Sequence, residues 1–77
     1  MKIEFHGPPM CDFSKMDKFG NIEVPEGTTL GQFLKIVKLP IMWRKVFPLL
    51  VNYEKVSMDT VLHDGDIVSA FTLSGGG

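Results

Sequence analysis

The chain has 77 residues, of which 44% are hydrophobic, with 8 Lys and Arg against 9 Asp and Glu. That length allows one domain burying about 60% of the surface its unfolded chain would expose, and the apolar share excludes a chain disordered throughout. A formal net charge of −1 with scattered cations excludes a phosphate-binding nucleic-acid surface, a lone Cys11 excludes a disulfide framework or an iron–sulfur cluster, and no apolar run approaches the ~20 residues of a membrane span.

Residues 2–6 alternate polar and apolar, with Ile3 and Phe5 on one side, and predict a half-buried strand. The same opening residues lack the apolar core of a secretion signal, so the cytoplasm is the expected compartment. Gly7-Pro8-Pro9 breaks the strand, and residues 10–18 have no period and read as a long hairpin loop. Alternation resumes over 19–24, a second strand with Ile22 and Val24 on one face.

Pro25-Glu26-Gly27 predicts a type I turn with Pro at its second and Gly at its fourth position. Thr29 and Gln32 then form a T-x-x-Q capping box at a helix start. Leu30, Phe33, Leu34 and Val37 follow at i, i+3, i+4 and i+7 as one apolar stripe. Lys35 and Lys38 suit the dipole at the far end, and Pro40 is expected to stop the helix, about ten residues in all.

Residues 41–47, between Pro40 and Pro48, predict a short helical turn. Residues 49–53 predict a third strand, and Val56 a place in a short fourth one. Met58-Asp59-Thr60 reads as a turn, as does Asp64-Gly65-Asp66, where Gly65 supplies a positive φ. Residues 67–73 predict the last strand, and Ser74-Gly75-Gly76-Gly77 a flexible tail, so the chain divides into a domain over 1–73 and a tail over 74–77. Strands with one main helix crossing one sheet face make a two-layer α+β domain.

Terminal glycines add nothing to a packed fold. Without Cβ atoms they are slender enough to enter a narrow channel, and a final glycine carboxylate sits on an unhindered carbon. Such a carboxylate suits acyl activation, in which it attacks the α-phosphate of ATP inside a partner and the mixed anhydride then accepts sulfur or an amine. The plain alternative is a frayed, idle end.

Asp64-Gly65-Asp66-x-Val68 before a strand and terminal Gly76-Gly77 resembles the end of the ThiS/MoaD family of ubiquitin-like sulfur carriers. Val51-Asn52 is similar to the family's V-N-G strand end, Thr60-Val61-Leu62 to the segment before its D-G-D turn, and Pro25-Glu26-Gly27-Thr28-Thr29-Leu30 to its helix entry. The chain departs from the family at Gly75, at Tyr53 where Gly is common, and in Ala70-Phe71-Thr72-Leu73, which lacks a P-P-V run. The resemblance implies a β-grasp fold, a mixed sheet of four to five strands with the helix on one face. It also implies adenylation of Gly77 by a ubiquitin-activating-type enzyme that uses the ATP, with Gly75 and Gly76 threading its channel. The adenylate becomes a thiocarboxylate that delivers sulfur with molybdopterin synthase large subunit or thiazole synthase.

Family parity places Val68 inward, which leaves Phe71 and Leu73 as a docking patch for partners; the competing expectation is a central last strand with Phe71 packed under a loop. His6, Cys11 and His63 match no metal-ligand spacing, and Cys11 lacks a visible activator, so no metal and no intrinsic catalytic residue is assigned. Trp43 reads as core or as a lid over its end, and Asp64 and Asp66 as turn formers. A monomeric sulfur carrier for molybdopterin or tungstopterin synthesis leads, ahead of thiamine thiazole synthesis. A protein modifier conjugated through Gly77 and a binding module with an idle tail are the alternatives.

Overall fold

In a computed structural model that describes residues 1–7, 11–46 and 48–70, alternation at the start of the chain becomes strand β1 (Lys2–His6), with Ile3 and Phe5 buried. Strand β2 (Asn21–Glu23) pairs antiparallel with it, Ile3 opposite Ile22. It is shorter than the expected 19–24. Gly20 donates to the Asp17 carbonyl at 3.1 Å, so Phe19 belongs to a turn and is exposed. Ile22 and Val24 are buried on one face as expected.

The turn after β2 is displaced by one residue from its expected place. Thr28 N–H donates to the Pro25 carbonyl at 3.4 Å, which puts Pro25 first and Gly27 third, at φ +86°. A third-position residue at positive φ is the requirement that glycine meets without steric cost.

Helix α1 (Leu30–Ile36) starts as the capping box dictates: Gln32 N–H donates to Thr29 Oγ1 at 3.2 Å and Thr29 N–H to Gln32 Oε1 at 3.0 Å. The other early amides are met by the chain that returns past them, Leu30 N–H by the Thr60 carbonyl (2.8 Å) and Gly31 N–H by that of Met58 (3.0 Å). The helix ends well before Pro40. Lys38 takes φ +57°, Leu39 N–H reaches the Leu34 carbonyl at 2.9 Å and Lys38 N–H that of Lys35 at 3.2 Å. This pair of bonds is a Schellman cap, and Leu34 and Leu39, the two positions that meet in that motif, are both buried in the core. The stop is therefore a capping motif with lysine in the left-handed position, and Pro40 precedes the next element.

Helix α2 (Ile41–Val46) occupies the stretch between the two prolines. Strand β3 (Leu50–Val51) turns at Asn52 and Tyr53 into strand β4 (Glu54–Lys55), so the third strand ends earlier than expected and Val56 lies just beyond the fourth. The Ser57–Thr60 turn forms, with Thr60 N–H on the Ser57 carbonyl at 3.2 Å. Asp66 N–H closes the D-G-D turn on His63 at 3.0 Å, with Gly65 at φ +88°.

Strand β5 (Ile67–Ser69) completes a five-stranded mixed sheet in the order β2-β1-β5-β3-β4. It lies parallel to β1 and antiparallel to β3, which makes it the central strand. Phe5, Val68 and Val51 form a buried row across the sheet. All four stripe residues of the helix, Leu30, Phe33, Leu34 and Val37, join them in one core. The Phe33 ring meets Phe5 edge-on at 5.4 Å, the contact that seats α1 on the sheet.

Candidate functional site at the end of the last strand

Everything described about β5 serves to hold its end. Val68 lies between Phe5 and Val51, and Ser69 between His6 and Leu50. Ala70 N–H then donates to the His6 carbonyl at 2.8 Å, and the Trp43 indole N–H donates to the Ala70 carbonyl. Ala70 is wholly buried and Ser69 nearly so. A central strand, hydrogen-bonded on both edges and latched by a tryptophan, thus fixes the chain up to the point where residues 71–77 begin.

The start of the same strand is held as firmly. Asn52 N–H donates to the Ile67 carbonyl at 2.7 Å, and Asn52 Oδ1 accepts Ile67 N–H at 3.1 Å. Its Nδ2 donates to Asp66 Oδ1 at 3.1 Å, while Asp66 Oδ2 accepts His63 N–H at 2.8 Å. Asp64 Oδ1 accepts Lys2 N–H at 2.7 Å, and Gly65 N–H returns to the Lys2 carbonyl at 2.8 Å. Asp64 and Asp66 are turn formers, as their flanking of Gly65 suggested, and they also tie the turn to β1.

A sequence model of the ThiS family matches residues 14–77. The chain belongs to the ThiS family. Its ubiquitin-like β-grasp fold, a mixed sheet carrying the long helix on one face, is the one seen above. Members of the ThiS family are small carriers rather than enzymes. No curated protein and no solved structure matches the chain.

Within this ThiS-family domain the expected working residues, Phe71, Leu73, Gly75, Gly76 and Gly77, lie outside the described residues, as does the boundary between 73 and 74. What is described is their anchorage. Val68 is buried, as family parity placed it, and β5 is central with Ser69 buried on the opposite face. Both expectations for Phe71, a docking patch or packing under a loop, fall outside the described residues.

The three side chains considered for a metal sit apart in role. His6 pairs with Glu4 on β1 at 2.5 Å, and His63 precedes the D-G-D turn with its ring 3.9 Å from Asp66. Cys11 is a loop residue turned into the core, and burial pushes its thiol above the ordinary cysteine range, away from the reactive thiolate. Among the described residues no three metal-binding side chains gather, and no helix is long and apolar enough to cross a membrane.

Two features of this site escape a linear reading. The motif residues Asn52 and Asp66, far apart in sequence, form one clasp on β5; the V-N and D-G-D patterns were visible, but their meeting was not. Trp43 does pack against the core as expected, yet its polar edge is what touches the strand's exit. A buried indole needs an acceptor for its N–H, and that need was the available signal.

Proposed function

We propose that this chain carries sulfur for cofactor biosynthesis on the carboxylate of Gly77. The family match, which runs through Gly77, is the observation that supports this most directly. The hold on Ala70 supports it physically, because an enzyme that takes up residues 71–77 works against a root that does not move with them.

An adenylating enzyme of the ubiquitin-activating type supplies the ATP. A carboxylate oxygen of Gly77 attacks the α-phosphorus, pyrophosphate leaves, and an acyl adenylate remains. A sulfide-level nucleophile then adds to the acyl carbon and AMP leaves, which yields a thiocarboxylate without net oxidation or reduction. This chain supplies no acid, base or metal to either step. It supplies an unhindered carbon at Gly77 and, at Gly75 and Gly76, two residues without Cβ atoms that fit a narrow channel. Phe71 and Leu73, next to Ala70 in sequence, are the proposed contacts for the partner's mouth.

The acceptor is a cofactor precursor, with the large subunit of molybdopterin synthase first and thiazole synthase second. The order rests on chain length and the Asp64-Gly65-Asp66-x-Val68-x-x-Phe71 run. The test is intact-mass measurement after incubation with the host's activating enzyme, ATP and sulfide. A gain equal to sulfur replacing oxygen, abolished by deleting Gly77 with no change in melting temperature, is expected. Isopeptide conjugates to other proteins would instead identify a protein modifier, and an unchanged mass would leave the tail idle and overturn the proposal.

A further inference from the structure

Away from the strand's exit, the last turn of α2 faces β4 across an open cleft of about 290 Å³. Arg44 and Lys45 line it from the helix, Lys55 from the edge strand, and Leu49, Val56 and Met58 are among the apolar residues beside them. Three of the chain's eight Lys and Arg thus share one small depression in a protein whose net charge is −1. Among the described residues no carboxylate lines it.

Cations near a helix C-terminus have an ordinary explanation in the helix dipole. That accounts for Arg44 and Lys45 but not for Lys55, which comes from a strand. Nor does it account for Arg44 Nε, which is buried and has no hydrogen-bond partner among the described residues. Likewise none of the three cations is in an ion pair among the described residues, although other surface charges pair. Arg44 lines the cleft without a hydrogen-bond acceptor at Nε among the described residues, and a carboxylate is the acceptor that matches a guanidinium.

The apolar wall decides what kind of anion fits. A free phosphate gains nothing from Leu49, Val56 and Met58, whereas a peptide that offers carboxylates around an aliphatic side chain satisfies both halves of the cleft. We propose that this cleft receives an acidic, leucine-bearing segment of a partner protein. Identifying that protein as the activating enzyme rests on the carrier function proposed above; the complementarity of the cleft does not. Arg44 and Lys45 directly follow Trp43, whose indole latches Ala70, so a partner seated here lies against the same helix that fixes the root of residues 71–77.

The test uses the full chain, isotopically labelled, and a short capped peptide of alternating glutamate and leucine. Amide shifts confined to the α2 end and to the segment from β4 to Met58 are expected. The double variant K45E/K55E changes two exposed side chains and is checked for folding by its own spectrum; it should weaken binding at least about tenfold, the equivalent of about 1.4 kcal/mol. Restoration of binding in that variant by a lysine–leucine peptide would confirm that charge sets the choice. Equal binding of the lysine–leucine peptide to the unaltered chain, equal shifts with inorganic phosphate alone, shifts elsewhere, or none, would each overturn the proposal. None of these results depends on adenylation of Gly77, so failure here and failure of the carrier function are told apart.

Discussion

Asn52 holds Ile67 by both edges: its backbone N–H donates to the Ile67 carbonyl at 2.7 Å, and its side-chain oxygen accepts the Ile67 N–H at 3.1 Å. The geometry requires Asn52 to sit at φ +52°, a region in which asparagine is tolerated better than most residues. Its amide nitrogen spans on to Asp66. A hairpin turn between β3 and β4 therefore doubles as the fastener for the first residue of the central strand. This gives a physical reason for the V-N and D-G-D patterns to occur in one chain, since each supplies one half of a single clasp.

Replacing Asn52 by Ala removes two side-chain hydrogen bonds and puts a Cβ-bearing residue without local compensation at positive φ. Exposed bonds of this kind are worth about 0.5–1.5 kcal/mol each, and the backbone conformation costs a further 1–2 kcal/mol or so. Asn52→Ala should destabilise by about 2–5 kcal/mol in urea melts. Asn52→Gly, which keeps the φ and loses only the bonds, should recover about 1 kcal/mol of that. Equal losses in the two variants would show that the backbone conformation contributes nothing.

The neighbouring position points the other way. Tyr53 occupies φ +66° and is exposed, and with Asn52 it forms the pair of positive-φ residues of a type I′ hairpin, for which Asn-Gly is preferred. Tyr53→Gly should raise stability by about 0.5–1 kcal/mol, the relief of strain exceeding glycine's added freedom when unfolded. For a domain this small that corresponds to a rise of about 2–8 °C in Tm by calorimetry. A fall in Tm would mean that the Tyr53 ring makes a contribution larger than the strain.

Local signals carried far in this chain and stopped where partners are distant. Thr29 and Gln32 mark the start of α1 within four residues, and the stripe from Leu30 to Val37 is wholly buried as spaced. The end of α1 was less legible because a Schellman cap usually advertises itself with glycine, and here Lys38 adopts the left-handed conformation. That β5 runs parallel to β1 and lies in the middle of the sheet depends on pairing across more than sixty residues, as in Phe5 with Val68. Alternation says which face is apolar and nothing about which strand is adjacent. The latch of Trp43 on Ala70 is of the same kind: a donor on a short helix and an acceptor 27 residues away.

Acid should weaken the hairpin between β1 and β2 first. Asp17 Oδ1 accepts N–H groups from Phe19 at 2.8 Å and Asn21 at 3.0 Å. These bonds, that from Asn21 foremost, hold its carboxyl below the ordinary carboxylate range. Asp12 is lowered in the same direction by Ser14. A carboxylate whose folded pKa lies below its unfolded value of about 3.9 adds stability that is full above that value and is lost as pH falls through the folded one. Denaturant melts should therefore show stability declining below about pH 4. Asp17→Asn, which still offers an acceptor oxygen, should be less stable than the unaltered chain at pH 7 and converge with it in acid. A constant gap at every pH would remove Asp17 from the titration.

The latch on the strand's exit can be tested separately from the clasp at its start. Trp43→Phe keeps an aromatic ring against the core and deletes the indole N–H that meets the Ala70 carbonyl, together with part of the ring's packing. Ala70 is fully buried, so its carbonyl loses an acceptor role without gaining water, and such a loss costs about 1–3 kcal/mol. Global stability should fall by that order, but the sharper readout is local. Amide exchange at Ala70, whose N–H is held by His6 at 2.8 Å, should accelerate in native conditions while Phe33 and Val37 in and beside α1 keep their protection relative to the new global stability. If the root matters to the activating partner, pyrophosphate exchange driven by the variant should show a raised KM as residues 71–77 are presented from a looser base. Unchanged Ala70 exchange in a stably folded Trp43→Phe chain would mean that the parallel pairing with β1 alone secures the exit of β5.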